Sequence, residues 1–338
     1  MSKNVFILGA GASRHTGAPM MNDFMDAIED KCNSHDGAKF LPVLTKLREL
    51  KAIHTKAKID FNNNLETAMV ICKMDNLLRP FKENEVLLNQ FKSIICTILE
   101  EKIKFKLKTD SHNGSVNSEY GQLIELIRAM NLNQTTVITF NYDIALDYAF
   151  YIHGVDINYC ITPDGNSSTF KLLKLHGSTN WKKGNLSNTL EPISIKDYLN
   201  KKGTWVRRDD QPLPISQSFS SSETAFIVPP TWNKAWHYQQ INSVWQQAAK
   251  ELSTAENIFI CGYSFPSTDE FFKYLYAIGT IGSTRIRNFS VFNPDENVEA
   301  RFSTLMGTEV QPKFRFIKKN FAEALKDIRM SFITQSGK

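Results

Sequence analysis

Short apolar runs that end in glycine, asparagine or histidine alternate along this chain with stretches whose apolar residues recur every three or four positions. The first run, Asn4-Val5-Phe6-Ile7-Leu8, leads into Gly9-Ala10-Gly11-Ala12-Ser13 and predicts a buried strand that delivers the chain to a glycine turn. Pro19 suits a helix start, and Met20, Met21, Phe24, Met25 and Ile28 keep helical spacing to about Cys32. Strand, glycine turn and helix together form the opening of a doubly wound fold.

From about Asp36 to Gln134 the pattern changes to sparse glycine and proline, with Leu88, Phe91, Ile94, Ile95, Ile98 and Leu99 at three-and-four spacing. This predicts a helical insertion, broken by a polar loop at Ser111–Ser118. Strand signals return at Thr135–Phe140, followed by a helix carrying Ala145, Leu146, Tyr148, Ala149 and Tyr151. Further strands are expected at 170–175, 225–228, 257–261 and 288–292. The expected class is therefore α/β, a doubly wound, mostly parallel Rossmann-like sheet with ligands at the carboxyl ends of its strands. Residues 1–35 and 135–335 would form that domain, and 36–134 the insertion, whose apolar stripe fits either a contact surface for another chain or internal core.

Composition adds bounds. The 338 residues are 42% apolar and 22% charged, ordinary for a globular chain with a sizeable core. No stretch approaches the length of an apolar membrane span, and the N-terminal run meets glycines instead of a signal-peptide cleavage site, so a cytoplasmic protein with no membrane partner is expected. Five scattered cysteines (Cys32, Cys72, Cys96, Cys160, Cys261) contain no C-x-x-C pair, which writes neither a disulfide framework nor a tetrathiolate zinc site. A net charge of +5 is too mild to compel a nucleic-acid partner. Lys202–Arg208, with Trp205, Arg207 and Arg208, could stack bases or simply pack a loop, and direct nucleic-acid binding is not expected.

Candidate chemistry concentrates at the predicted strand ends. Gly9, Ala10, Gly11, Ala12 and Ser13 give G-x-G without the third glycine of the dinucleotide fingerprint, since position 14 is Arg. Such a turn lets backbone amides approach a pyrophosphate, with Ser13 adding a hydroxyl, although a plain tight turn reads the same way. Asn141 and Asp143 follow the strand at 135–140, where helix capping, from this segment alone, is a better account than catalysis. His176 is sharper, because Leu172-Leu173-Lys174-Leu175 is an alternating strand that ends in His and then Gly177. Imidazole suits proton transfer near neutrality, and no other histidine has that setting. Gly262 and Ser264 after one strand, and Asn293 and Asp295 after the next, would line the same edge as phosphate or ribose contacts, or as a turn and an Asx-Pro helix start.

Read in order, Gly-Ala-Gly-Ala-Ser, Thr-x-Asn-x-Asp, Leu-His-Gly, Gly-x-Ser and Asn-Pro-Asp resemble the sirtuins, specifically the sirtuin-like NAD-cleaving domains of bacterial antiphage systems. The resemblance covers residues from about 5 to 300 around the insertion. It implies that Asn141 and His176 are catalytic, that Gly9–Ser13 form the phosphate loop, and that Gly262, Ser264, Asn293 and Asp295 lie on the adenosine side. Two departures stand out. Residues 177–260 lack the four cysteines of the zinc module, so no zinc is expected, and Gly17-Ala18-Pro19-Met20-Met21 replaces the motif beyond the first loop.

What the resemblance implies is an NAD+ glycohydrolase that takes NAD as substrate and depletes it as the effector of abortive infection. Asn141 would orient water or the ribose, and His176 would accept a proton. Asp143 would hold the nicotinamide carboxamide or cap its helix. Because such an activity needs restraint and no separate sensor domain is expected in the chain, a homo-oligomer controlled by a partner, a HerA-type ATPase or a short Argonaute, is the further expectation. The alternatives are a protein deacylase or ADP-ribosyltransferase, and a non-catalytic NAD or ADP-ribose sensor.

Overall fold

The computed structural model describes residues 3–53, 65–79, 82–107, 118–162, 169–184, 189–202, 206–208, 211–212, 225–228, 235–266, 269–280 and 285–336. The chain opens with β1 (Asn4–Leu8) and a one-turn α1 (Ala10–Ser13), then α2 (Phe24–Cys32), α3 (Leu41–Ile53), α4 (Leu65–Leu78) and α5 (Lys82–Lys102). Next come β2 (Phe105–Leu107), α6 (Glu119–Ala129), β3 (Thr135–Thr139), α7 (Ala145–Ile152), β4 (Ile157–Asn158) and β5 (Phe170–Lys174). The small elements β6 (Trp181–Lys183), β7 (Leu190–Pro192), α8 (Ile195–Lys202), β8 (Val206–Arg208) and β9 (Gln211–Pro212) precede α9 (Ala235–Ser253). The chain closes through β10 (Asn257–Cys261), α10 (Glu270–Gly279), β11 (Asn288–Phe292), α11 (Asn297–Ser303), β12 (Phe314–Ile317) and α12 (Phe321–Ser336).

Seven strands form one sheet in the order β12-β11-β10-β1-β3-β5-β4, every pair parallel. The chain starts at the centre, winds outward through β3 and β5, returns past β1 and winds outward the other way through β10, β11 and β12. With β4 set aside as an edge addition, this is the doubly wound dinucleotide-fold order, and its switch point lies between β1 and β10. Strands β1 and β3 are buried at all five positions, as a parallel sheet covered on both faces requires. Alternation along β5 shows the two layers. Lys174 pairs with Asp147 of α7, and Lys171 pairs with Glu251 of α9. α6 packs with α7 and α12, whereas α9 packs with α10.

The helices between β1 and β3 carry a buried stripe, with Phe91, Ile94, Ile95, Ile98 and Leu99 of α5 in the same continuous core as Val43, Leu47 and Leu50 of α3 and the strands of the sheet. The loop expected at 111–118 lies outside the described residues except for Ser118, whose hydroxyl accepts from the Gly121 amide and caps α6. Residues 225–228 differ from expectation. They are not a strand of the main sheet but a buried extended segment making one antiparallel bridge, Ile227 to Gly177. Their unbroken apolarity comes from packing under the His176 turn, where the Ser178 amide donates to the Phe226 carbonyl and the Val228 amide to the His176 carbonyl. β12, with alternating and partly exposed residues at the sheet margin, and the two-residue β4 complete the sheet. All five thiols are free. No helix among the described residues is long and apolar enough to cross a membrane.

Candidate functional site

Register puts the carboxyl ends of six strands in one row. Leu8 pairs with Thr139 and Thr139 with Lys174 on one side, and Leu8 pairs with Cys261, Cys261 with Phe292 and Phe292 with Ile317 on the other. The residues that follow, Gly9, Asn141, His176, Gly262 and Asn293, therefore share one edge, where ligands of such sheets bind.

On the β1–β3–β5 side these residues are joined through their side chains. The Asn141 amide donates to the Gly9 carbonyl (2.9 Å) and the Ser13 hydroxyl (3.0 Å), and the Asn141 backbone N–H is held by Thr139 Oγ1. Ser13 Oγ donates to Asp143 Oδ2 at 2.9 Å. A hydroxyl has one proton, so the 2.6 Å contact between Ser13 and Tyr120 has the phenol donating when Asp143 is ionised. The other Asp143 oxygen accepts from the Ala145 amide at the start of α7. Asp143 thus takes the first amide of α7 from just outside the helix, where Ile144 is the N-cap residue, and through Ser13 it is joined to the buried Tyr120 and the half-buried Asn141. Ser13, given a phosphate-facing hydroxyl from the sequence, holds Asn141 and Asp143 in this structure.

Burial pushes the Asp143 carboxyl above its ordinary range, partly offset by the nearby Lys174 ammonium. Tyr120 is also raised, by burial and by the Asp143 charge, so it stays a phenol and a donor. Lys174, fully buried, donates to Asp147 Oδ2 (3.0 Å) and to the Asp143 carbonyl (2.5 Å). Tyr159 donates to the other Asp147 oxygen, and Asn180 donates to Tyr159. Buried ions persist only when paired and hydrogen-bonded, and this chain of contacts meets that condition. None of Tyr120, Asp147, Tyr159 or Asn180 was singled out from the sequence. A lysine inside Leu172-Leu173-Lys174-Leu175 and an aspartate inside the apolar α7 were the available signal.

His176 stands directly beside this network, buried, with Phe140 edge-on to its ring at 5.1 Å and Tyr142 tilted at 6.0 Å. Its Nε2 lies 3.3 Å from Oδ1 of Asp269, a residue the sequence reading did not name.

On the β10–β11 side the backbone dominates. The Gly11 amide donates to the Gly262 carbonyl at 2.9 Å, and Gly262 has φ +62°. A Cβ at Gly9 would stand 2.5 Å from Cα of Tyr263, and one at Gly262 would stand 2.5 Å from the Ala12 nitrogen. These glycines are needed so that two turns can touch across the switch point. Ala10 is exposed on the outer side of the loop, with Ala12 buried beneath it. Ser264 is exposed, and its carbonyl accepts from Arg301. Asn293 is buried, donating to the Tyr263 carbonyl and accepting from the Asp295 amide, and Asp295 accepts from the Asn297 amide to start α11.

Fold and site thus define a doubly wound parallel α/β protein with a polar, histidine-bearing edge at its switch point. Among solved structures, those of Sir2 homologues align with nearly the whole chain at low similarity. A mutant Sir2 homologue in complex with ADP-ribose has 14% identity and a TM-score of 0.44, covering 99% of this chain and 94% of that one. A Sir2 homologue–NAD complex has 15% identity and 0.43, covering 99% and 91%. A structure addressing the mechanism and regulation of Sir2 enzymes has 15% identity and 0.44, covering 100% and 94%. No family model and no curated protein matches the chain. The fold class rests on the strand order itself.

Proposed function

We propose that the protein is an NAD+ glycohydrolase whose reaction centres on Asn141 and His176. The observation that carries this reading is their position at the ends of adjacent strands β3 and β5, with the Asn141 amide fixed to the glycine turn after β1. In the proposed reaction the bond between nicotinamide and ribose breaks, nicotinamide leaves as a neutral ring, and water adds to the ribose carbon. The products are nicotinamide, ADP-ribose and a proton. The leaving group needs no protonation, so the protein's task is to orient the reactants and to receive the proton from water. Asn141, held by Gly9 and Ser13, orients the ribose or the water, and His176 receives the proton.

The Gly9–Ser13 turn would approach the pyrophosphate by its exposed face at Ala10, and Gly262, Ser264, Asn293 and Asp295 would face the adenosine half. The ordered motifs' resemblance to antiphage NAD-cleaving domains supports a role in abortive infection under the control of assembly. Since the stripe of α3 and α5 is internal core, a contact of this region with a second copy or with an ATPase or Argonaute partner would use its exposed residues, Leu77, Leu78 and Val86 among them. Nicotinamide release from NAD+ by the purified chain, measured across protein concentrations, tests the reading. Asn141→Ala and His176→Ala, each shown to be folded, should each lower the rate by about 10²-fold or more, the scale of a lost positioning or proton-transfer group. Release that needs an acylated peptide would instead identify a deacylase, and binding of NAD+ with no release under any condition would identify a sensor.

A further inference from the structure

Asp269 sits at the N-cap position of α10, where an aspartate ordinarily accepts an amide of the first helical turn, yet its side chain makes no such bond. The carboxylate is turned instead into the sheet edge. Oδ1 lies 3.3 Å from His176 Nε2, and Oδ2 accepts from the Tyr263 hydroxyl at 3.0 Å. The three residues come from three elements, the ends of β5 and β10 and the start of α10, and all are at most 4% exposed.

The surroundings are aromatic. Phe140 stacks on Tyr263 with centroids 4.3 Å apart and planes 4° apart, and is edge-on to His176. Phe272 is edge-on to both Phe140 and Tyr263. The backbone after β10 is strained at Phe265, whose φ of +48° is a conformation a bulky side chain adopts only when its surroundings enforce it. Phe265 packs against Phe272 and Phe302.

We propose that Asp269 is the positioning residue of His176, fixing the imidazole through Nε2 and compensating the charge the ring acquires when it takes up a proton, with Tyr263 holding the carboxylate in turn. The proposal rests on His176 being the proton acceptor of the NAD+ glycohydrolase reading. In a neutral imidazole only one nitrogen carries hydrogen. With that hydrogen on Nε2 and directed at a carboxylate, the lone pair that receives a proton lies on Nδ1. Uptake of the proton makes an imidazolium, which the apolar box would penalise without Asp269 and which the carboxylate stabilises strongly there because little water screens the pair. Among the described residues, Asp269 from α10 lies against Nε2 and Tyr142 from the β3–α7 turn against the ring, while Tyr263 from the end of β10 reaches the pair through the Asp269 carboxylate.

The test uses the full chain with isotopically labelled histidine. The His176 resonances are assigned by their loss in His176→Gln, and the imidazole titration is followed by NMR beside kcat and KM for NAD+ cleavage. In Asp269→Asn, which preserves shape and removes the charge, the imidazole midpoint should fall. kcat should drop about 10²-fold, the usual scale of general-base assistance, with KM within about threefold. In Tyr263→Phe the carboxylate loses one donor and its charge concentrates on the ring, so the midpoint should rise. That variant keeps the test available if Asp269→Asn does not fold. An unchanged His176 midpoint in folded Asp269→Asn overturns the proposal, as does an unchanged midpoint in Tyr263→Phe where the Asn variant is lost. The two readings separate: a midpoint that moves in Asp269→Asn supports the Asp269–His176 coupling whether or not the chain alone cleaves NAD+, whereas a wild-type chain that binds no NAD+ overturns the glycohydrolase reading and leaves the coupling standing.

Discussion

The two halves of the sheet edge are built by different means. Around β1, β3 and β5 the site consists of side chains, buried except for the half-buried Asn141, that satisfy one another, Tyr120 with Ser13, Ser13 with Asp143 and Asn141, and Lys174 with Asp147. Around β10 and β11 it consists of turns, in which Gly262, Asn293 and Asp295 mainly bond backbone. The first half resists change because removing one member leaves the others buried without partners. The second tolerates change wherever the backbone can keep its path. Such a division suits an edge where one part must hold reacting groups still and the other must accept a ligand's length.

The comparison is broken most forcefully at Lys174. Lys174→Met leaves the Asp147 carboxylate buried without its cation and the Asp143 carbonyl without its donor. Unfolding free energy in denaturant should fall by about 3–5 kcal/mol, the usual cost of orphaning one member of a buried pair. Adding Asp147→Asn removes the stranded charge while keeping an acceptor for Tyr159, and should recover part of the loss. If Lys174→Met melts like the wild type, the first half is not an interlocked unit.

The doubly wound order was legible because β1, β3, β10 and β11 are short apolar runs with chemistry-bearing residues at their ends, and each formed within a residue of its expected bounds. β12 and β4 were not, since a strand at the margin is half-exposed or too short to carry a pattern. Residues 225–228 misled because burial under the His176 turn produces the same unbroken apolarity as burial in a sheet. At the site, Asn141, Asp143 and His176 stood out as polar residues where apolar runs stop. Tyr120 and Asp269 did not, because each reaches the site from far along the chain, and Asp269 carries the ordinary signature of a helix cap.

Asp143 sharpens the comparison through pH. Its carboxyl is raised by burial, so the folded chain keeps a proton there to a higher pH than the unfolded chain does. Across the window from the ordinary Asp value up to the raised one the native state binds more protons, and stability should fall as pH rises through it and level off above. Chemical unfolding across that window should show the slope in the wild type and its loss in Asp143→Asn. A slope unaffected by the substitution would move the titration to another group.

The smallest effect is expected at Asp295. The residue is exposed, and Oδ1 accepts from both the amide and the side chain of Asn297 at the start of α11. Asp295→Ala should therefore cost about 1 kcal/mol of stability, the size of a lost helix-start bond. If the same carboxylate also reaches the adenosine ribose, KM for NAD+ should rise severalfold with kcat unchanged, because a contact remote from the bond being broken contributes equally before and during reaction. An unchanged KM would leave Asp295 as a turn residue alone and confine ligand recognition on this half to the backbone of the Gly262 turn. A fall in kcat would instead tie the two halves together, since among the described residues Asp295 is linked toward the His176 side through the Asn293 side chain and the Tyr263 carbonyl that it holds.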